Sequence, residues 1–502
     1  MVMGTIGEAS VLLPVLASDA PSLDTTRLIY SGLLKYDRET RLVGDLARSW
    51  EVSADNRTIR FRLREDVLWH DGLPFTSRDV EYTFRAHTDP TTPTPWASDF
   101  LKASAFRCLD DHTVEVSYEE PYAPALDSWT QGILPRHLLE GTPLTESPLQ
   151  RSPVGTGPYR FVSWESGQQI VLEANPRYFG EGPFLSRVTI RPIPDPAAMF
   201  LLLKAGELSR MDLTPLQYTR QTANDWFKNR FRKYQYLHFG YTYLGYNGKD
   251  GRFQDRRVRQ ALTMAINRER IIKCVLMGLG RVAHSPYNPD TMWHNPRARR
   301  FPHDPALARE LLSQAGWRDE NGDGILEKDG RDFEFTIVTN HGNDMRKNAA
   351  TLIQRDLKEV GIRVKIRVIE WAALLKNFIH KRNFEACLLG WRVGVDPNQI
   401  DIWDSAKTAK NCLNFLGYRN VEVDRLLRKG VRTHDIQERR LSYARFQELL
   451  AEDQPCTFLW VQEDLPIISS RFHGIDPAPM GIDHNLPQWY VPERFRRSEM
   501  QP

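Results

Sequence analysis

No stretch of this 502-residue sequence approaches the ~18 consecutive apolar residues that a membrane-spanning helix needs, and the mean hydropathy is −0.49. Cysteine is scarce. Cys108, Cys274, Cys387, Cys412 and Cys456 are scattered, odd in number and without CxxC spacing, which excludes a zinc ribbon and a dithiol redox motif. Cys274 and Cys387 sit inside apolar runs (IIKCVLM, EACLLGW) and read as small core residues, while one disulfide among the others stays open. Neither sign of charge dominates: 67 Lys and Arg against 64 Asp and Glu leave +3, too balanced for nucleic acid or an anionic membrane as the main partner. HExxH, GxSxG, Walker A and complete GxGxxG motifs are all missing, as are solenoid repeats and low-complexity linkers. Gly155-Thr156-Gly157-Pro158 is no phosphate cradle, because proline removes a donor; it is a tight turn.

Aromatic side chains are plentiful: Trp 13, Tyr 17 and Phe 23 make 11% of the chain, a density that fills large cores or lines a cleft. The length asks for two to four domains at roughly 100–200 residues each. An apolar content of 41% with 26% charged residues is that of an ordinary globular protein.

The chain divides by pattern into a β-rich first part and an α/β second part. The N-terminal apolar stretch lacks a basic leader, carries Glu8 and is broken by Pro14, so it predicts a first strand; if the protein is exported, its signal is missing from this chain. TIRFRLR alternates Ile59, Phe61 and Leu63 against Thr58, Arg60 and Arg62, a half-buried strand. Trp69-His70-Asp71-Gly72 is a turn, and Thr76 with Asp79 makes a variant capping box for a helix carrying Val80, Thr83 and Phe84. Residues 159–172 predict a hairpin around Ser166-Gly167. From Asp255 to near Gly278 the period becomes helical, with Val258, Ala261, Leu262, Ala265 and Ile266 on one face. Asp304-Pro305 opens another helix. Residues 332–339, 344–360 and 362–371 then read as a βαβ unit, followed by strands at 384–391 and 458–461 with two helical patterns over 421–451 between them. No loose tether separates the two parts, which points to strands crossing between lobes, a hinge around a cleft.

Two local features invite function. Asp319, Asn321 and Asp323 with Gly324 match the start of a calcium loop, but position 12 is Gly330, leaving only Asp329 and Glu327 nearby, so a solvated turn is the favoured reading. Trp391 follows Gly390 at a strand end, where open α/β sheets place ligands. Singly, Trp391, Trp96, Trp371, Tyr243 and Tyr287 are each more often core than cleft.

Five blocks taken together are more specific: GTIGEASVLLPVLASD at the start, DLARSWEVSADNRTIRFRLREDVLWHDGLPFTSRDVEYTF (45–84), SPVGTGPYRFVSWESGQQIVLEANPRYF (152–179), FQDRRVRQALTMAINRERII (253–272) and FEACLLGWRVGVDP (384–397). In their order they resemble the family 5 extracellular solute-binding proteins, the peptide- and nickel-binding class that feeds ABC importers. The resemblance implies an α/β, three-lobed fold of the type II periplasmic-binding-protein kind. Domain I would comprise 1–35, 154–269 and 463–502, a β-rich domain II 36–153 and an α/β domain III 270–462, with ligand engulfed between I and III. It also implies a peptide-capturing monomer without chemistry or cofactor, no nucleic-acid partner and a membrane permease as recipient. The protein would work in the periplasm or outside the cell, with a lipid anchor as an option. Binders of nickel chelates, opines or glycosides in the same family are the alternative. A hydrolase with an acidic pair has only scattered carboxylates in its favour, and a sensor-regulator would need a helix-turn-helix for which residues 1–44 leave no room.

Carried over residue by residue, the resemblance implies ligand contacts at Ser18, Asp19, Ala20, Trp96, Tyr243, Tyr287, Trp371, Gly390 and Trp391. The position where oligopeptide binders hold the peptide ammonium with Asp is here Gly394, and Leu388 replaces a basic residue of some members. Either Asp396 takes over the ammonium or the ligand has no free one, since a buried ammonium without a carboxylate costs several kcal/mol.

Overall fold

The computed structural model describes residues 1–409 and 412–496. The chain forms two compact units, one from residues 1–236 with the segment after Glu463, the other from Leu237–Glu463. Both boundaries fall inside strands, Tyr236–Leu237 and Cys456–Asp464, so the crossings are extended backbone rather than loose linker.

The first unit is built on a seven-stranded mixed sheet. Its order is Phe231–Lys233, Pro466–Ser469, Arg210–Asp212, Val2–Thr5, Arg187–Pro192, Gln169–Ala174, Tyr159–Glu165. The N-terminal strand is therefore central, parallel to both its neighbours. The rest of the N-terminal apolar stretch, from Leu12 to Ala17, is buried except for half-buried Leu16 and leads into the helix Ala20–Ile29. The predicted hairpin turns at Gly167 with φ 72°, a conformation glycine adopts freely.

Within this unit a separate antiparallel sheet runs Ala47–Val52, Thr58–Leu63, Thr113–Tyr118, Ala103–Asp110. Ile59, Phe61 and Leu63 point into its core while Arg60 and Arg62 face solvent, as the alternation requires. Phe61 packs edge-on to Trp129 at 5.9 Å, and both are fully buried; burying Phe61 stabilises by about 1.5–3 kcal/mol. The helix Ser77–Thr88 starts on the Thr76–Asp79 capping box and covers this sheet with Val80 and Thr83.

The second unit carries the other large sheet, ordered Tyr236–Leu237, Cys456–Asp464, Gly240–Tyr246, Ala386–Arg392, Glu334–Asn340, Arg363–Ile369, with Gly280–Val282 also paired to Cys456–Asp464. Residues 237–269, expected with the first domain, belong to this unit because every residue of Gly240–Tyr246 is buried between its two antiparallel neighbours. The βαβ unit forms as the pattern predicts. Glu334–Asn340 and Arg363–Ile369 are parallel, joined by the helix Asp344–Glu359, and Ala386–Arg392 adds a third parallel strand.

Two local expectations are corrected. The single helix from Asp255 is two, Arg256–Ala265 and Arg268–Val275, because Asn267 caps a new start by accepting from the Arg270 N–H. Cys274 is exposed on that second helix, whose buried face is carried by Ile271 and Ile272, whereas Cys387 is buried as expected; all five cysteines are free. Among the described residues no helix is long and apolar enough to cross a membrane.

Candidate ligand-binding site

Three parallel strands of the second unit end along one edge. Asn340 lies opposite Ile369, and the Val338–Cys387 register carries Gly390 and Trp391 past Asn340. The His341 N–H donates to the Ile369 carbonyl at 2.7 Å and ties the first two strand ends together. Loops leaving the carboxyl ends of parallel strands are where such sheets hold ligands. Two tryptophans sit there. Trp391 is half-buried with its ring 5.8 Å from Phe415, and Trp371, two residues beyond Ile369, is 47% exposed. A methyl group at Gly390 would stand 2.7 Å from Nη2 of Arg346, so glycine is what lets that guanidinium lie across the strand. Arg346 also donates from Nη1 to Asn340 Oδ1 at 2.9 Å. It was not among the expected residues; a single Arg in the third position of a helix carries no signal of its own.

The loop after Trp391 is pinned from inside. Asp396 accepts from Arg439 Nη2 at 3.0 and 2.7 Å and from the Asn398 N–H at 2.9 Å. Arg439 further donates to the Gly430 carbonyl and lies 5.3 Å from the Trp293 ring. Burial alone would weaken the charge on Arg439, but Asp396 beside it more than restores it. Asp396 is therefore not a bare carboxylate awaiting an ammonium. Tyr287 donates its hydroxyl to the Pro397 carbonyl at 2.7 Å and is only 5% exposed, so it braces this loop from below instead of lining a surface. Tyr243 is likewise core, packed against Tyr241 in a strand covered on both faces. Gly394 is exposed, and a methyl group there would meet only the Asp396 backbone nitrogen, at 4.0 Å.

In the first unit the expected residues do come together. Asp19 caps the helix Ala20–Ile29, accepting from the Ser22 N–H at 2.9 Å, its hydroxyl at 2.7 Å and the Ser10 hydroxyl. Partial burial pushes the carboxyl up, but these bonds hold it below the usual range. Trp96 donates from Nε1 to the Ala17 carbonyl at 3.2 Å and so sits against the segment leading to Ser18. Ser18 is exposed, and its backbone N–H and C=O take no partner among the described residues.

Comparison with known proteins draws these features together. The model for the bacterial extracellular solute-binding proteins, family 5 Middle, matches residues 41–411. The chain belongs to this family. It is 33% identical to the oligopeptide-binding protein AppA of Bacillus subtilis (strain 168), over 98% of this chain and 91% of that protein. The structure of AppA from Bacillus subtilis in complex with a nonapeptide matches with a TM-score of 0.80 at 31% identity, covering 98% of this chain and 99% of the other. NikZ from Campylobacter jejuni in complex with Ni(L-His) matches with a TM-score of 0.83 at 27% identity, again over 98% and 99%. Family 5 is a family of solute-binding proteins and not of enzymes, and the mixed α/β fold expected from the sequence blocks is the fold these structures share.

One feature of this family 5 chain stands apart from the strand edge. Asp319, Asp323 and Glu327 bring carboxylate oxygens within 4.8 Å of one another. Asp319 accepts from the Gly322 and Gly324 N–H groups, Asn321 from Asp323, Asp323 from Ile325, and Glu327 from Glu320. Both glycines have left-handed φ, 81° and 84°. These are the bonds of a tight acidic turn.

Proposed function

We propose that this protein is the solute-binding component of an ABC importer for oligopeptides, acting outside the cytoplasmic membrane as a monomer, free or lipid-anchored, and passing its cargo to a membrane permease. It performs no chemistry and needs no cofactor; solute is captured by hinge closure. The carrying observation is the likeness over 98% of the chain to AppA, in sequence and in its nonapeptide complex. The free backbone of Ser18 beside Asp19 and Ala20 supports pairing with a peptide backbone, with Trp96 fixing that segment. Trp391 and Trp371 offer apolar faces at the strand edge of the second unit. Peptide recognition of this kind draws affinity from main-chain hydrogen bonds and variety from tolerant side-chain pockets.

The comparable likeness to NikZ with Ni(L-His) favours one second reading, a small metal chelate as cargo. Native mass spectrometry of ligand released from the purified protein separates the two. Masses that fragment as peptides support the first reading; a metal chelate, an opine or a glycoside alone overturns it.

A further inference from the structure

We propose that the second unit carries a site for a phosphoryl group, formed by Arg300, His284 and His294 with Arg297 and Arg299 at its rim. The group is that of inorganic phosphate or a soluble phosphate ester, or that of an anionic lipid headgroup. The proposal goes beyond solute capture and depends on neither the cargo nor the permease.

Residues 297–300 place three arginines in four positions, with no acid between Asp290 and Asp304. The loop is pinned from inside by Asn295, which is 5% exposed. Its N–H donates to Gln447 Oε1 at 2.9 Å, and its Nδ2 to the Ala444 carbonyl at 3.0 Å and Glu448 Oε1 at 3.2 Å. Its Oδ1 accepts from the Arg297 N–H at 3.0 Å. Ala298 and Phe301 are buried, which leaves Arg297, Arg299 and Arg300 exposed. Arg299 lies 4.8 Å from the Phe301 ring. Among the described residues none of the three guanidiniums pairs with a carboxylate.

Arg268 gathers the rest of the cluster. Its Nη1 donates to the Ala283 carbonyl at 3.1 Å and its Nη2 to the Phe301 carbonyl, so one guanidinium holds the backbone beside both His284 and Arg300. Arg268 is 4% exposed and also donates to the Phe458 carbonyl. Carbonyls satisfy its N–H groups but leave its charge in place. His284 and His294 are half-buried, and His294 Nδ1 is buried without a partner. Burial holds both rings neutral, and Arg300 adds to this at each, as Arg268 does at His284. The acids on the surrounding elements are engaged. Asp290, which favours the charged form of His294, pairs with Arg281 at 2.7 Å. Glu448 pairs with Arg445, and Asp304 caps its helix by accepting from the Ala306 and Leu307 N–H groups. Glu269 offsets part of the burial cost of Arg268.

The loop therefore presents positive charge in excess, with donors from three separate stretches of chain. A cation is repelled there. A carboxylate accepts in one plane, whereas a tetrahedral phosphoryl group accepts from several directions at once, and arginine forks suit its oxygens. Its negative charge also favours protonation of the two imidazoles, which adds charge-assisted bonds.

Thermal unfolding of the full chain in sodium phosphate against sodium chloride of equal ionic strength tests the proposal. The variants are Arg300→Gln and, as a control for general charge, Arg425→Gln with Lys429→Gln, exposed cations on the helix Val421–Arg432. Circular dichroism establishes that each is folded. Phosphate is expected to raise the Tm of the wild type and of the control by about 2 °C or more, and the rise to fall by half or more in Arg300→Gln. Proton NMR should show phosphate raising the pKa of His284 and His294 in the wild type and not in Arg300→Gln, with His284→Gln and His294→Gln assigning the signals. Sedimentation with phosphatidylcholine vesicles, with and without phosphatidylglycerol, separates the sources. Retention by the anionic vesicles that Arg300→Gln loses identifies a lipid headgroup; a phosphate response without retention identifies a soluble phosphate. No response to phosphate beyond chloride together with no retention overturns the site. So do equal responses in wild type and Arg300→Gln, or a response lost equally in the control.

Discussion

Asp396 and Arg439 form a buried ion pair, with side chains 10% and 9% exposed and the shorter N–O distance 2.7 Å. The pair holds the loop that follows Trp391, and it explains why a carboxylate near the strand edge is not an ammonium site. Removing one partner leaves an uncompensated buried charge, at a cost of about 3–5 kcal/mol. Asp396→Ala is therefore expected to lower Tm sharply, and Asp396→Asn combined with Arg439→Met to recover much of the loss. If Asp396→Asn instead leaves Tm intact and abolishes only the binding of peptides with a free amino terminus, the carboxylate serves the ligand.

Trp391 and Tyr243 should separate binding from stability. Trp391 is half-buried at the strand edge, so Trp391→Ala is expected to weaken peptide binding about tenfold or more, in the range of an aromatic hot spot, with a smaller loss of stability. Tyr243 is 1% exposed, and Tyr243→Ala opens a cavity costing about 3–5 kcal/mol. Urea unfolding paired with calorimetry measures both.

Acid should destabilise the first unit through His70. Its Nδ1 accepts from the Gly155 N–H at 3.1 Å and its Nε2 faces the Gly157 carbonyl at 3.0 Å, an arrangement that needs the neutral ring. Burial pulls its pKa down to about 4, although the Gly157 carbonyl works the other way. The folded value lies below the unfolded ~6.5, so the unfolded chain takes the proton first. This contribution is whole above pH 6.5 and is lost as pH falls towards 4. Wild-type Tm should drop over that interval, and His70→Gln should show a shallower slope. A His70→Gln slope equal to that of the wild type would refute the role given to His70.

Calcium should leave the protein unmoved. Asp319 and Asp323 already accept backbone N–H groups, and Gly330 supplies no closing ligand. Tm is expected to be the same in EDTA and in millimolar calcium, whereas a rise with calcium would mean that the turn reorganises around an ion.

Elements governed by local chemistry were legible in the sequence. The alternation of Ile59, Phe61 and Leu63, the Thr76–Asp79 box and the βαβ period each state a strand or a helix within a few residues, and the structure repeats them. What escaped depends on partners far along the chain. Nothing near Asp396 announces Arg439, 43 residues on. Tyr243 and Trp391 look alike as aromatics on neighbouring interior strands, but Tyr243 lies in mid-strand with both faces covered, whereas Trp391 lies at the carboxyl end of its strand. The glycines of Gly155-Thr156-Gly157 read as a turn, yet their stronger reason is contact: side chains there would run into the Ile29 backbone. The break at Asn267 was visible only as a capping residue inside an otherwise continuous helical period.

The central claim is oligopeptide binding, and calorimetry of ligand-stripped protein against di- to nonapeptides tests it most directly. The account predicts micromolar or tighter binding, about −8 kcal/mol or better, for at least one length class, weakened in Trp391→Ala. No binding by any peptide, alongside tight binding of a metal chelate, an opine or a glycoside, would contradict it.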